Sequence, residues 1–162
     1  MKLLFSNNSR GFTLIELIIS LVIIAMIAVI SFANLSGHRE ELSVDLEAEQ
    51  MVAYLREARN RALAGQDDSS WGVHFVNVAS DSDYYNLFRG LTFSTSAIVD
   101  THFLSKQVEF VVPPVNSSSD IVFLRSTGNL SNSATFTVVI RSVIEPKYSS
   151  TIEVNRIGQI NY

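Results

Sequence analysis

The segment Arg10–Leu35, RGFTLIELIISLVIIAMIAVISFANL, is the most unusual part of this sequence. Its core from Leu17 to Ala33 holds seventeen residues without a charge, and counted from Phe12 the apolar run is twenty-two residues long. As an α-helix this run is about 33 Å long at ~1.5 Å per residue, which matches the hydrocarbon core of a bilayer. The run therefore predicts a membrane-spanning helix over residues 12–35.

Charges on either side of this run indicate its orientation. Lys2 and Arg10 precede it with no acid among the first eleven residues, whereas residues 38–41 follow it with mixed sign. The positive-inside rule then predicts a cytoplasmic N-terminus and a C-terminal part on the other side of the membrane. A cleaved secretory signal is disfavoured, because the apolar core is too long and no clear Ala-x-Ala site follows it.

Glu16 is the one carboxylate inside the apolar run. A carboxylate in a membrane segment costs at least ~2.5 kcal/mol unless it finds a partner. Snorkelling lowers this cost, because Glu16 lies only four residues into the run. A plain anchor fits the length of the run but leaves the acid as a tolerated interfacial charge with no role.

The motif Gly11–Glu16, GFTLIE, resembles the prepilin peptidase site of type IV pilins and type II secretion pseudopilins. The resemblance implies that Met1–Gly11 is a leader peptide, that the bond between Gly11 and Phe12 is cut, and that Phe12 is then N-methylated. It also implies that Glu16 pairs with the N-terminal amine of a neighbouring subunit during filament assembly. Such pairing is physically reasonable, since an amine and a carboxylate compensate each other in an apolar environment.

After the apolar run, the helical pattern continues on one face. Apolar residues recur at steps of three and four, which predicts an amphipathic helix up to about Ala64: Val44, Ala48, Met51, Leu55, Ala58 and Ala62. Gly65 and the polar residues 66–70 end it. The face fits packing on a sheet, and a short coiled-coil seam is the alternative.

From Trp71 onward the period changes to two, with Trp71, Val73 and Phe75 on one strand face. The pattern predicts these strands: Trp71–Ala79, Tyr84–Phe93, Gln107–Val112, Ile121–Leu124, Ala134–Val143, Thr151–Asn155 and Ile157–Tyr162. Ala97–Leu104 is ambiguous, and Val115–Asp120 is predicted to be an exposed loop. The fold class is therefore α+β: a long N-terminal helix packed on a C-terminal antiparallel β-sheet domain.

Three further segments are similar to parts of the GspH/FimT-like minor pilins: Ala48–Ala64, Val122–Gly128 and Ile152–Ile160. With this resemblance, the fold class becomes type IV pilin-like. Four regions are expected: a leader over 1–11, a transmembrane or filament-core helix over 12–35, an amphipathic helix over 36–65, and a β-rich domain over 66–162.

Composition and spacing offer no catalytic site, cofactor or metal. The chain has no cysteine, which excludes disulfides and thiolate metal sites. His38, His74 and His102 have no ligand-spaced companions, and His74 is interpreted as a sheet-face residue. Asp81 and Asp83, with Asn86, leave a calcium loop as an alternative, although aspartates at a turn are far commoner as turn formers.

The charge balance argues against a nucleic-acid partner. The chain has a formal net charge of −4, and residues 141–162 hold Arg141, Lys147 and Arg156 against Glu145 and Glu153. One excess base is not the basic patch that DNA binding needs. A FimT-like DNA-binding pilin nevertheless remains an alternative, as does an anchored periplasmic protein that forms no filament.

The resemblance implies a structural subunit and not an enzyme: a minor pilin of a type IV pilus or a pseudopilin of a type II secretion system. Its expected partners are prepilin peptidase, other pilin or pseudopilin subunits and the bacterial inner membrane, with no small-molecule substrate. We expect one membrane pass with a cytoplasmic N-terminus and a periplasmic domain, followed by entry into the filament.

Overall fold

The computed structural model describes residues 11–132 and 134–162, except for the side chains of residues 30–38. The chain divides into two compact units, Met1–Ser36 and Gly37–Tyr162. The described residues form a helix α1 (Leu14–Leu63) and the strands β1 (Trp71–Asn77), β2 (Tyr84–Arg89), β3 (Ile98–Phe103), β4 (Val108–Val112), β5 (Ser117–Phe123), β6 (Phe136–Ser142), β7 (Ser149–Val154) and β8 (Ile160–Asn161). Single 3-10 turns lie at Gln66–Asp68 and Thr95–Ala97.

The second part of α1 buries the face that the periodicity predicted. Its fully covered residues include Val44, Ala48, Met51, Leu55, Ala58 and Ala62. Residues of both sheets complete the same core, so this face packs on sheets and does not form a coiled-coil seam. The helix ends before Gly65, whose left-handed backbone (φ +63°) lets its N–H bond to the carbonyl of Ala62 at 3.0 Å.

The first sheet has the antiparallel order β3-β2-β1-β5. Trp71, Val73 and Phe75 on β1 alternate towards the core and are at most 1% exposed, as predicted. Each buried aromatic or large aliphatic side chain contributes roughly 1.5–3 kcal/mol. The Trp71 indole N–H donates to the carbonyl of Gln66 at 3.1 Å, which satisfies its polar atom inside the core.

The second sheet has the antiparallel order β4-β6-β7-β8. Its inner face contributes Val138 and Ile140 from β6 and Ile152 and Val154 from β7. All residues of the buried core lie between Val44 and Val154, within the second compact unit. Residues 37–162 thus contain a complete core of their own, and we expect them to fold without the preceding segment.

Two buried polar side chains join the sheets at the outer edge of β4. The Phe110 N–H donates to Asp83 Oδ2 at 2.7 Å, and the Phe110 carbonyl accepts from Asn77 Nδ2 at 2.9 Å. Asp83 also accepts from the Val78 N–H at 2.8 Å. Backbone groups of β4 that no strand pairs are therefore satisfied by side chains from the other sheet.

Polar contacts also tie α1 to β3. The Glu47 carboxylate accepts from the Ser105 N–H at 2.8 Å and lies 3.3 Å from His102 Nε2. Two turns further along α1, the Tyr54 hydroxyl donates to Asp100 Oδ2 at 2.6 Å. That hydrogen bond, followed by burial and the nearby carboxylates, raises the pKa of Tyr54 to about 12. These contacts fix β3 against the helix.

The prediction that Val115–Asp120 is an exposed loop is wrong for most of its length. Residues 117–123 form the edge strand β5, which pairs along the full length of β1. Serines are poor strand formers, but here the β1 backbone supplies hydrogen-bond partners that the local sequence does not reveal. The ambiguous segment Ala97–Leu104 contains strand β3, and the predicted final pair is confirmed as β7 and β8.

Two glycine turns meet the last turns of α1. Gly128 and Gly158 both have positive φ, at +64° and +77°. A Cβ at Gly158 would lie 2.1 Å from the Gly128 carbonyl oxygen and 2.7 Å from Arg59 Nε. Only glycine fits this position, because both the backbone conformation and the space exclude a side chain.

Gly158→Ala tests this contact. We expect a loss of about 3 kcal/mol or more in unfolding free energy, because backbone strain adds to a steric overlap with the carbonyl of Gly128. Urea unfolding of residues 37–162 measures it. Gly65→Ala is the control: its φ is also positive, but the nearest atom to a Cβ is Arg125 Nε at 3.9 Å. A loss of about 1 kcal/mol is expected there, and equal losses at both sites would contradict the steric account.

Tyr54→Phe tests the hydrogen bond to Asp100. Because folding raises the Tyr54 pKa from 10.0 to about 12, its contribution to stability is complete below pH 10 and is lost as the pH rises towards 12. The wild type should lose about 1 kcal/mol more than the variant over this range, after allowance for solvent screening. Denaturant midpoints at pH 9 to 12 measure this loss. The exposed Tyr162→Phe is the control, and identical pH profiles for wild type and Tyr54→Phe would refute the assignment.

Candidate processing and assembly site

The predicted cleavage site lies directly before α1. Gly11, Phe12 and Thr13 are exposed and non-helical, and the helix begins at Leu14. A Cβ built on Gly11 meets nothing within 4 Å, so the peptide bond to Phe12 is unobstructed by the described residues. An uncovered peptide bond outside a helix is accessible to a peptidase. Residues 1–10 of the predicted leader lie outside the described residues.

Thr13 caps the helix, and Glu16 lies in its first turn. The Thr13 hydroxyl accepts a hydrogen bond from the Glu16 N–H at 3.3 Å, and the Thr13 carbonyl accepts from the N–H groups of Glu16 and Leu17. The spacing Thr-x-x-Glu is a signature of a helix N-terminus that the sequence analysis missed. The cap places Glu16 where the positive end of the helix dipole favours a negative charge.

The Glu16 side chain is exposed and makes no hydrogen bond or ion pair with any residue that the structure describes. Its backbone carbonyl accepts from the Ser20 hydroxyl at 2.7 Å, so the peptide group is satisfied while the carboxylate remains open. Such a carboxylate is available to a cation from outside the chain. Whether Gly11, Phe12 and Glu16 act as the resemblance implies remains a prediction.

The residues around Glu16 are apolar on every side of the helix. The large apolar side chains from Phe12 to Val29 are 47–80% exposed. A helix that is apolar all round is stable only when lipid or protein covers it. No helix of the described residues is long and apolar enough to cross a membrane. The predicted span 12–35 continues into residues whose side chains are not described.

The other singled-out side chains have structural partners. His74 pairs with Asp120 across β1 and β5 and stacks on Phe93, with ring centroids 3.6 Å apart. It is a sheet-face residue, as predicted. His102 contacts Glu47, and the side chain of His38 lies outside the described residues. No group of three or more potential metal ligands occurs among the described residues.

Most side chains of the possible calcium loop and of the C-terminal basic segment form hydrogen bonds or ion pairs within the domain. The Asp83 carboxylate is used by two backbone N–H groups, and the Asn86 side chain accepts from the Thr101 hydroxyl at 2.7 Å. Arg141 pairs with Glu109 at 2.7 Å and Lys147 with Glu145 at 3.6 Å. Of the three bases counted in this segment, Arg156 alone has no acidic partner among the described residues.

Comparison with known proteins bears on both parts of the chain. The family model described as the prokaryotic N-terminal methylation motif matches residues 6–32, which include Gly11, Phe12 and Glu16. Two crystal structures of the type IV minor pilin FimU of Pseudomonas aeruginosa resemble the fold. They cover 70% and 75% of this chain and 87% and 89% of FimU, with TM-scores of 0.50 and 0.55 and 17% identity in each. A search of curated protein sequences gives no match.

The motif and the fold together define the class of protein. Residues 6–32 match the N-terminal methylation motif, and the helix and antiparallel sheets have the architecture of a type IV pilin. The chain is thus type IV pilin-like in its motif and fold, and the solved structures that it resembles are those of a minor pilin.

Proposed function

We propose that this protein is a structural minor pilin or pseudopilin subunit and not an enzyme. Prepilin peptidase removes Met1–Gly11, Phe12 becomes the methylated N-terminus, and the apolar helix holds the subunit in the inner membrane with its β-rich domain in the periplasm. The subunit then joins a filament with other pilin subunits. The observation that carries the proposal is an exposed Gly11–Phe12 bond directly before a largely apolar helix whose one acid, Glu16, has no partner among the described residues.

Energetics link the cleavage to the assembly. In a filament core, the Glu16 carboxylate is removed from water and costs at least ~2.5 kcal/mol without a partner. Cleavage creates a new amine at Phe12, and the amine of an adjacent subunit compensates the buried carboxylate. While the leader is attached, Phe12 has no free amine. Cleavage therefore supplies the amine that lowers the free-energy cost of burying Glu16.

Both a type IV pilus and a type II secretion pseudopilus accommodate this mechanism. The likeness to FimU, which is a type IV minor pilin, supports testing a type IV pilus first. An anchored protein that forms no filament is the competing proposal, and it requires no function for Glu16. DNA uptake would require the basic residues to bind duplex DNA, and two of the three in the C-terminal segment are paired with acids.

Gly11→Val tests the processing site. After co-expression with a prepilin peptidase, we expect the membrane-extracted wild type to begin at a methylated Phe12 and the variant to begin at Met1. N-terminal mass spectrometry measures both. The variant is informative because a side chain at Gly11 meets no described atom, so the change alters the peptidase substrate and not the fold. A wild-type protein with its leader intact would refute the proposed processing.

Glu16→Ala and Glu16→Gln test the assembly role. Both variants should be cleaved normally, but we expect filament incorporation to fall by about tenfold or more, since the amine of the neighbouring subunit loses its ionic partner. The ratio of filament to membrane protein in sheared fractions measures incorporation. Glu49→Ala, an exposed acid on the same helix, is the control. Normal incorporation of both Glu16 variants would contradict the pairing of Glu16 with the amine, whereas absence of the wild type from the filament fraction would favour the anchored protein that forms no filament.

A further inference from the structure

The two ends of the β-rich domain carry opposite charge along α1. The basic end, where α1 finishes, comprises Arg56, Arg59, Arg61, Arg89, Arg125 and Arg156. Contacts bring these residues together from distant parts of the sequence: Arg59 lies against Gly158, and Arg125 pairs with Asp68 just after the helix. The sequence analysis missed this group because it counted charges only in consecutive residues.

Half of the arginines at the basic end have no acidic partner in the part of the chain that the structure describes. Three ion pairs are present there, which join Arg61 to Glu57, Arg89 to Asp67 and Arg125 to Asp68. Arg56, Arg59 and Arg156 contact no carboxylate among the described residues. The end therefore keeps an excess of positive charge.

The opposite end of the domain is acidic, and we call it the acidic end. It comprises Glu40, Glu41, Asp45, Glu47, Asp81, Asp83, Glu109 and Glu145, with the bases Arg39, Lys106, Arg141 and Lys147. Hydrogen bonds show that these segments meet: Ser142 donates to Glu40 at 2.8 Å, and Ser142 is the strand partner of Val108. Acids outnumber bases there by two to one.

A cavity of about 490 Å³ opens at the acidic end. Val115 and Val143 contribute apolar surface and are 59% and 48% exposed, while Asp81 and Glu109 contribute carboxylates. Lys106 also lines the cavity. A site whose mixed lining holds exposed valines and acids fits a protruding segment that carries an aliphatic side chain and a cation.

The basic end presents such a segment, the turn Asn155–Gly158. Ile157 is 56% exposed at this turn, beside the unpaired Arg156. Asn155 Oδ1 accepts from the N–H groups of Ile157 and Gln159 at 3.2 and 2.9 Å, and the Arg156 carbonyl accepts from the Leu130 N–H at 3.0 Å. The turn is thus held in one shape, which reduces the entropy lost on binding.

We propose that the Asn155–Gly158 turn of one copy of this chain docks into the cavity at the acidic end of a second copy. Ile157 then covers the exposed valines of the cavity, and Arg156 approaches Asp81, because Glu109 is already paired with Arg141. A symmetric dimer through either end would oppose like charges, so the charge distribution selects a head-to-tail contact. Contacts between two different patches of one chain generate open helical arrays when the rotation between copies does not close into a ring. The inference rests on the proposed filament role and specifies a contact within it.

Charge reversal on opposite partners tests this contact. Residues 37–162 at low salt should self-associate weakly in sedimentation equilibrium, and Arg156→Glu or Asp81→Arg should each weaken the association about tenfold. An equimolar mixture of the two variants should associate again, because the acquired acid of one meets the acquired base of the other. Arg56→Glu is the matched control: it reverses a charge at the basic end but outside the turn, and a smaller effect is expected.

Three results would overturn the proposal. The first is a wild-type fragment that stays monomeric up to about 1 mM. The second is a mixture of the two variants that associates no better than either alone, while thermal melts show both to be folded. The third is retention of duplex DNA that Arg156→Glu abolishes, without self-association. The fragment lacks Phe12 and Glu16, so these results leave the incorporation test of Glu16 unaffected.

Discussion

The burial of one face of α1 between the two sheets is the interaction on which the rest of the structure depends. Neither sheet has a complete core alone, since the inward side chains of β1 and those of β6 and β7 meet over the same helical face. Three alanines on that face, Ala48, Ala58 and Ala62, have no exposed surface and allow the strands to approach the helix closely. The helix thereby fixes which segments lie at each end of the domain.

The same helix is built for two environments, and its sequence shows the change. Before Val29 every described side chain is exposed and most are apolar, whereas from Val44 onward the buried apolar residues follow a single face. An amphipathic face can be covered by one domain, but an apolar circumference requires lipid or several neighbouring helices. Glu16 lies in this first segment and has no ionic partner among the described residues.

The sequence predicted the structural features that follow from a local residue pattern. The features that it failed to predict depend mainly on contacts between residues far apart in the chain. The helical face and the alternation of Trp71, Val73 and Phe75 come from periodicity, which packing on a core imposes directly. Strand β5 was missed because its serines gain strand structure only from pairing with β1, more than forty residues earlier. The cap at Thr13 was a local signal, and a search for Thr-x-x-Glu would have found it.

The candidate site divides in the same way. Gly11, Phe12 and Glu16 lie within six positions of the sequence, so a short motif identifies them. The charged ends of the domain form only in the folded chain. Arg59, Arg125 and Arg156 are separated by up to 97 positions in the sequence and converge because the turns at Gly128 and Gly158 meet the end of α1. A search of consecutive residues therefore cannot identify this group of arginines.

Packing and surface charge are coupled at this convergence. The Nε atom of Arg59 is buried without a hydrogen-bond partner, which costs about 1–3 kcal/mol. Its alkyl chain nevertheless lies across Gly128 and Gly158, so the apolar part of the side chain contributes contacts that a shorter residue would lose. The same contacts hold the turn that presents Arg156 and Ile157. A change that loosens this packing therefore alters the shape of the proposed docking turn as well as the stability of the domain, whereas a change of charge at Arg156 alters the contact alone.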